Sequence, residues 1–468
     1  MAALIKTKCR LERKEIYMTA ILLFFLILPR ILAYLSCSCF GIARTDAIDR
    51  YFPQVEKLKE SFSSFFTLTG PAYSAILYFF KNVFNDMITR PVILQHIAGI
   101  LSGLLVFYFF KRTNKWLAFA TSILVYSSQR SAMIEHYILR DSLSAFFLIL
   151  LVVIFFTQRK RIFINNWPIL SGILAGITGV LLVFMRIEFI VLIFVLPFGH
   201  IIKRNFFDKQ RLNFGDTKYM VSYFLPLLMV LMIYATVKDK YAFQQYTGTT
   251  FNIAYHSLDP SVFNYDGSNH PELLKSYQKI LRENGNVSQS MSQFYDATKE
   301  YLSRHKEIHL TFLQLMDQVF FEMVFKNPIG YFKSYIVNLS KMMIGNEDLE
   351  SMGPVPNSYF FMKSIYGILS FPTYLFDQET VNRIIVCFFI VGIPFLLLTR
   401  KQYDFVVFIS VFITVLQILL LAFIANPVAR FRYPIDPFLY FSALYGFCSI
   451  FRTGQTADRS RQININNS

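Results

Sequence analysis

The feature that most constrains this chain is an alternation. Apolar runs near spanning length are separated by short loops crowded with Lys and Arg. A bilayer core offers the backbone no water to bond, so each such run must satisfy its own amides and carbonyls as a helix. Runs of this kind cover 16–40, 92–110, 116–128, 142–156, 168–185, 189–202, 219–237, 383–398, 403–425 and 433–451. The content of 54% hydrophobic residues, with 52 Phe and 27 Tyr, agrees with that reading. The expected fold class is therefore an all-α polytopic membrane protein.

A formal net charge of +16 would suit a nucleic-acid binder if the charge lay on one face. Here it lies in short loops on alternate sides of the apolar runs: Lys6, Lys8, Arg10, Arg13 and Lys14; Lys111, Arg112 and Lys115; Arg159, Lys160 and Arg161; Lys203, Arg204, Lys209, Arg211 and Lys218. That is the positive-inside pattern, and no nucleic-acid partner is expected. No small-residue cleavage site follows the first run, so it reads as a retained span. The five cysteines (Cys9, Cys37, Cys39, Cys387, Cys448) have neither metal-ligand nor disulfide-framework spacing.

The alternation divides the chain. Residues 1–15 form a basic cytoplasmic N-terminus. Residues 16–237 form an N-terminal transmembrane module of about seven spans, with an outer loop at 41–91. Within that loop, Tyr73 to Phe80 reads as a helix lying in the interface. Residues 238–380 are mostly polar or amphipathic and read as a mainly helical extracytoplasmic domain. Residues 381–451 hold the last transmembrane helices, and 452–468 a disordered cytoplasmic tail. Both termini inside require an even count, about ten spans; the run 360–376, interrupted by Pro372, would raise it to eleven or about twelve if it crosses.

Given this topology, arginines occur on the wrong side. Short outer loops should be poor in Arg, yet Arg44, Arg50, Arg130, Arg140, Arg186, Arg430 and Arg432 all fall there. Several neighbour an acid: Arg44 and Asp46, Arg140 and Asp141, Arg186 and Glu188. Two readings stand. Local ion pairs closing helix ends explain each pair singly. A guanidinium-lined cavity for a lipid phosphate explains their common side, because Arg matches phosphate oxygens with paired donors. With a carboxylate nearby, such a cavity has the parts for sugar transfer from a phosphate leaving group: a base for the incoming hydroxyl and cations for the departing phosphate.

Four stretches carry a family resemblance. An acidic, Tyr-containing loop follows the first span (Thr45-Asp46 through Tyr51). Gly70-Pro71-Ala72-Tyr73 precedes an apolar helix, and Gln95-His96-Ile97-Ala98-Gly99 opens the second span. Leu139-Arg140-Asp141-Ser142-Leu143 enters a Phe/Leu-rich span. Finally come Met185-Arg186-Ile187-Glu188 and Ala429-Arg430-Phe431-Arg432-Tyr433-Pro434-Ile435-Asp436-Pro437. In these places the chain resembles the GT-C membrane glycosyltransferases, in particular the bacterial polyprenyl-phosphate-sugar enzymes related to protein O-mannosyltransferases and lipid A aminoarabinose transferases. The resemblance covers about the first 200 residues and the last 50; the middle domain lies outside it.

The resemblance implies a GT-C-type bundle and an inverting glycosyltransferase of a bacterial plasma membrane with an extracytoplasmic active site. A polyprenyl-phosphate-linked sugar would be donor, and a glycan, lipid or protein the acceptor, among membrane lipids. Asp46 is the implied catalytic base by its place after the first span. Its spacing to Tyr51 is one longer than the family's usual form, so Asp49 stands beside it. Asp141, with Glu135 in the same loop, falls at the second acidic position. Arg430 and Arg432 fall where the family holds the donor phosphate, with Arg186 and Arg140 as further candidates. The first loop has no Asp-x-Asp, so neither a divalent metal nor another cofactor is expected. A lipid-linked glycan flippase and an envelope glycan polymerase or ligase are the alternatives.

Overall fold

The computed structural model describes residues 2–36, 47, 51–61, 65, 70–156, 167–207, 209, 214–236, 258–265, 267–285, 287–344, 378–399, 404–424 and 429–466. Among these the regular elements are helices. Its helices are α1 (Ala2–Ser36), α2 (Phe52–Glu60), α3 (Pro71–Phe84), α4 (Thr89–Phe110), α5 (Lys115–Tyr126), α6 (Gln129–His136), α7 (Asp141–Phe156), α8 (Pro168–Met185), α9 (Ile190–Ile202) and α10 (Phe214–Thr236). After these follow α11 (Pro271–Asn284), α12 (Val287–Arg304), α13 (Phe312–Lys326), α14 (Pro328–Ile344), α15 (Gln378–Thr399), α16 (Phe405–Ile424) and α17 (Asp436–Asn466).

Among the described residues, five stretches, within α1, α4, α8, α15 and the helix begun by α9, are long and apolar enough to cross a membrane; α5, α7 and α16 contribute shorter apolar segments. Their outward faces are apolar. Ile93, Ile97, Leu101 and Tyr108 line one side of α4, while Val221, Leu225, Leu228, Met229 and Met232 line one side of α10, all exposed. Water does not tolerate such stripes on every helix of a bundle, whereas lipid requires them. The chain is a polytopic helical membrane protein.

Between the helices, packing depends on small residues. α8 lies against α10. A Cβ at Gly172 or Gly176 would collide with backbone oxygens of Tyr219 or Tyr223, so these glycines set how closely the two helices approach. One apolar core joins α1, α4, α5, α7 to α10 and α15 to α17. It includes Phe110 stacked on Phe441, their ring centres 3.9 Å apart.

A second, separate core of Val262, Phe263, Leu273, Leu274, Tyr277, Phe294, Leu315, Met316, Phe320 and their neighbours belongs to the segment between α10 and α15. There α11 behaves as a helix in water: Leu273, Leu274, Tyr277 and Leu281 are buried while Glu272, Lys275 and Lys279 are exposed.

Several boundaries differ from those of the apolar runs. α1 carries the basic N-terminus within one helix. α10 starts at Phe214, because Asp216 binds Arg204 (2.9 Å) and lies 3.4 Å from His200, so the helix extends into the basic loop. α17 runs on to Asn466, through residues read from sequence as a disordered tail. Hydropathy marks where a helix is apolar, not where its hydrogen bonds stop. The segment 360–376 lies outside the described residues.

Candidate functional site

The site is organised by α6 and the short link to α7. From Arg130 to Ala145 every residue is buried, although the stretch holds Arg130, Glu135, His136, Arg140 and Asp141. Charges so enclosed need partners. The partners come from distant parts of the chain.

Glu135 is fully enclosed, at 0% exposure. Arg30 on α1 grips it with both prongs, Nε donating to Oε2 at 2.7 Å and Nη2 to Oε1 at 2.5 Å. Ser131 Oγ (3.0 Å) and Tyr433 Oη (3.2 Å) donate to Oε1, and His96 Nδ1 lies 3.2 Å from Oε2. Burial opposes ionisation, but Arg30 and His96 outweigh it and hold the Glu135 carboxyl below its ordinary range. The lone pairs of a carboxylate are thereby filled, which suits a fixed anchor more than a proton acceptor.

The pair fits because residue 99 is glycine: a Cβ there would overlap Glu135 Oε1 and press on Arg30 Nη2. One turn away on α4, Gln95 Nε2 donates to the carbonyls of Glu135 (2.9 Å) and Tyr137 (2.7 Å), clamping the end of α6. Tyr73 of α3 donates to Gln95 Oε1 at 3.0 Å. Burial, then the neighbouring Tyr51 and Asp141, push the Tyr73 phenol up, so it keeps that proton. Tyr51, the last residue of the acidic stretch in the first outer loop, meets Tyr73 edge-on at 4.8 Å. His96 Nε2 is 3.3 Å from His136 Nδ1, extending the contacts from Glu135 through two imidazoles.

On the α7 side, Asp141 accepts from Arg186 Nη1 at 2.5 Å, and Glu188 lies 3.6 Å from the same guanidinium. Arg140 Nη1 donates to the Met185 carbonyl at 2.9 Å. It passes Gly70, whose positive φ of 72° and missing Cβ leave room for Nη1. Of the expected neighbour pairs, Arg186 and Glu188 do meet, Asp141 pairs with Arg186 and not with Arg140, and Arg44 and Asp46 lie outside the described residues.

On the other side, Arg130 Nη1 binds Asp436 Oδ2 at 2.9 Å, and Arg432 Nε binds Asp436 Oδ1 at 2.6 Å. Arg432, 0% exposed, also donates from Nη2 to Asn382 Oδ1 (2.9 Å) and from Nη1 to the Met343 carbonyl. It therefore ties together α14, α15 and α17.

Of the residues singled out from sequence, Glu135, Arg140 and Asp141 thus lie on one buried segment, Arg186 pairs with Asp141 on it, and Arg432 shares Asp436 with its Arg130. Arg430 lies in the same 3-10 turn (Ala429–Ile435) as Arg432, with its side chain outside the description. Asp46 and Asp49 lie outside the described residues. Sequence reading missed Asp436, Asn382 and the His96–His136 contact as members. Only Asp436 left a signal, its spacing of four from Arg432 on a helical turn.

No protein-family model matches the sequence, and no curated protein sequence matches it. Among solved structures, the chain shows similarity to the crystal structure of ArnT from Cupriavidus metallidurans bound to undecaprenyl phosphate. The match covers 91% of this chain and 78% of that one, with 10% identity and a TM-score of 0.36.

Proposed function

We propose that the protein is an inverting membrane glycosyltransferase that takes a sugar from a polyprenyl-phosphate carrier. The observation that carries this reading is the convergence on α6. The stretches around Gln95, Arg186 and Arg432, each quoted for the family resemblance, reach the buried segment Arg130–Asp141 by hydrogen bonds or ion pairs: Gln95 to the Glu135 carbonyl, Arg186 to Asp141, Tyr433 to Glu135, and Arg432 through the Asp436 it shares with Arg130. Buried charge of that density costs stability beside a membrane and favours a functional role.

In the proposed reaction the carrier's tail lies between helices and its phosphate meets guanidinium groups of Arg186, Arg140 and Arg430. Arg432, already held by Asp436, Asn382 and Met343, positions that turn and adds positive charge. Asp46 or Asp49 takes the proton from an acceptor hydroxyl of a glycan, lipid or protein. The hydroxyl oxygen bonds to the anomeric carbon from the face opposite the phosphate. The bond from that carbon to the phosphate oxygen breaks with its electron pair, and polyprenyl phosphate leaves with inverted stereochemistry at the sugar. Guanidinium charge takes the role a metal would have, and the reaction is placed on the extracytoplasmic side with both termini in the cytoplasm.

The test supplies purified protein in vesicles with labelled polyprenyl-monophosphate sugar or with its diphosphate counterpart. The proposal expects turnover of the monophosphate donor. Turnover confined to the diphosphate donor would move the protein to the glycan polymerases.

A further inference from the structure

α14 is amphipathic in the inverted sense. The face it turns to the rest of the protein carries Gly330, Ser334 and Asn338, all buried. Ser334 Oγ accepts the Asp259 backbone amide at 2.5 Å and donates to the Gly330 carbonyl at 3.2 Å. The outward face carries Ile329 (71% exposed), Phe332 (61%), Ile336 and Val337. Phe325 (77%), at the end of α13, continues this stripe by one turn. A helix facing water shows the opposite arrangement, as α11 does. Small and polar residues inside with Phe and Ile outside mark a helix whose solvent is hydrocarbon.

Its position agrees. α14 packs on α15 and α16, both apolar helices of the membrane bundle. Tyr335 Oη donates to the Leu419 carbonyl at 3.3 Å. Leu419 is five residues inside the end of α16 (Phe405–Ile424), about 8 Å along its axis at 1.5 Å per residue. Val415 and Leu419 of α16 are themselves exposed apolar side chains, so the stripe on α14 continues an existing lipid-facing surface. Pro328–Ile344 holds no Asp or Glu, and exposed Lys326 and Lys333 lie one position on from Phe325 and Phe332.

We infer that α14 is immersed in the outer part of the bilayer, its Phe325–Ile329–Phe332–Ile336 stripe in acyl chains and its lysines among anionic headgroups. The segment between α10 and α15 is thus divided at the end of α13: α11 faces water, and α14, with Phe325 just before it, faces lipid. Met343 and its contact with Arg432 at the far end connect this lipid-facing helix to the charged network. The inference stands whether or not the protein transfers sugars.

The test is depth-dependent fluorescence quenching on the full chain, with Trp116 and Trp167 replaced by Phe and one new Trp introduced. Phe332→Trp or Ile329→Trp reports on the stripe, and Lys279→Trp on the water-facing α11. Each is placed in vesicles of phosphatidylcholine and phosphatidylglycerol, with and without brominated acyl chains. Stripe positions should emit in the blue and lose about half or more of their intensity to the brominated lipid, as a helix 5–10 Å deep requires. Lys279→Trp should emit in the red and keep its intensity. Blue emission indifferent to bromine would mean that protein covers the stripe, either residues 345–377 or a second copy, and would overturn the inference. Red emission from the stripe would overturn it equally.

Discussion

Arg30 and Glu135, 105 positions apart, close on each other fork to fork at 2.5 and 2.7 Å with neither side chain more than 4% exposed. This pair joins the first membrane helix to the buried segment that also carries Arg130, Arg140 and Asp141. Removing one partner leaves the other buried without its countercharge. Arg30→Met or Glu135→Gln should each cost about 3–5 kcal/mol, whereas Arg30→Met with Glu135→Leu should cost less than the sum. Thermal unfolding of the detergent-solubilised protein checks this, and additive losses would show that the two are not coupled.

Gly99 makes room for that pair. Gly99→Ala should destabilise by about 1–3 kcal/mol, because the new methyl meets the rigid carboxylate of Glu135. Gly103→Ala, one turn on, meets only the flexible end of Leu26 and should cost clearly less. Equal melting temperatures for the two variants would contradict the close packing described at Glu135.

The arginines separate by role. Arg432→Lys loses a planar fork engaged by Asp436 and Asn382 and should lower stability by about 2–3 kcal/mol. Arg186→Lys keeps charge beside Asp141 and Glu188 but loses paired donation to a phosphate. Its donor turnover should fall at least about ten-fold with a smaller loss of stability. Donor titrations alongside melting curves distinguish the two outcomes.

Asp317, in α13, has its pKa raised to about 6 by burial. A carboxyl that binds its proton more tightly folded than unfolded stabilises at low pH and loses that contribution as pH rises through about 6. Asp317→Asn should therefore raise the melting temperature near neutral pH, by about 1–2 kcal/mol of stability after allowing for partial exposure, and change it little below about pH 4. A gain of the same size at both pH values would assign the effect to something other than titration.

Much of the fold was legible in the sequence because lipid exposure writes itself into composition. The apolar runs at 92–110 and 168–185 became α4 and α8 almost residue for residue. The site was legible only as a set of residues. That Glu135, Arg140, Asp141 and Arg186 sit near membrane boundaries follows from hydropathy, but which acid meets which arginine does not. Neighbours in sequence suggested Arg140 with Asp141, while packing of α7 against α8 gives Asp141 to Arg186. Arg30 was legible only as a charge near the end of a span, since no local pattern points from residue 30 to residue 135. α14 was obscured for the opposite reason. Its apolar residues read as an ordinary amphipathic helix until Gly330, Ser334 and Asn338 were found on the inner side.

The central claim is sugar transfer from a polyprenyl-phosphate carrier with an acid of the first outer loop as base. The most direct measurement is release of polyprenyl phosphate from labelled donor by membranes holding the wild-type chain, Asp46→Asn or Asp49→Asn. The account predicts release by the wild type and a loss of about 100-fold or more in one of the two variants, the size expected for removing a general base. Undiminished release by both variants would contradict it.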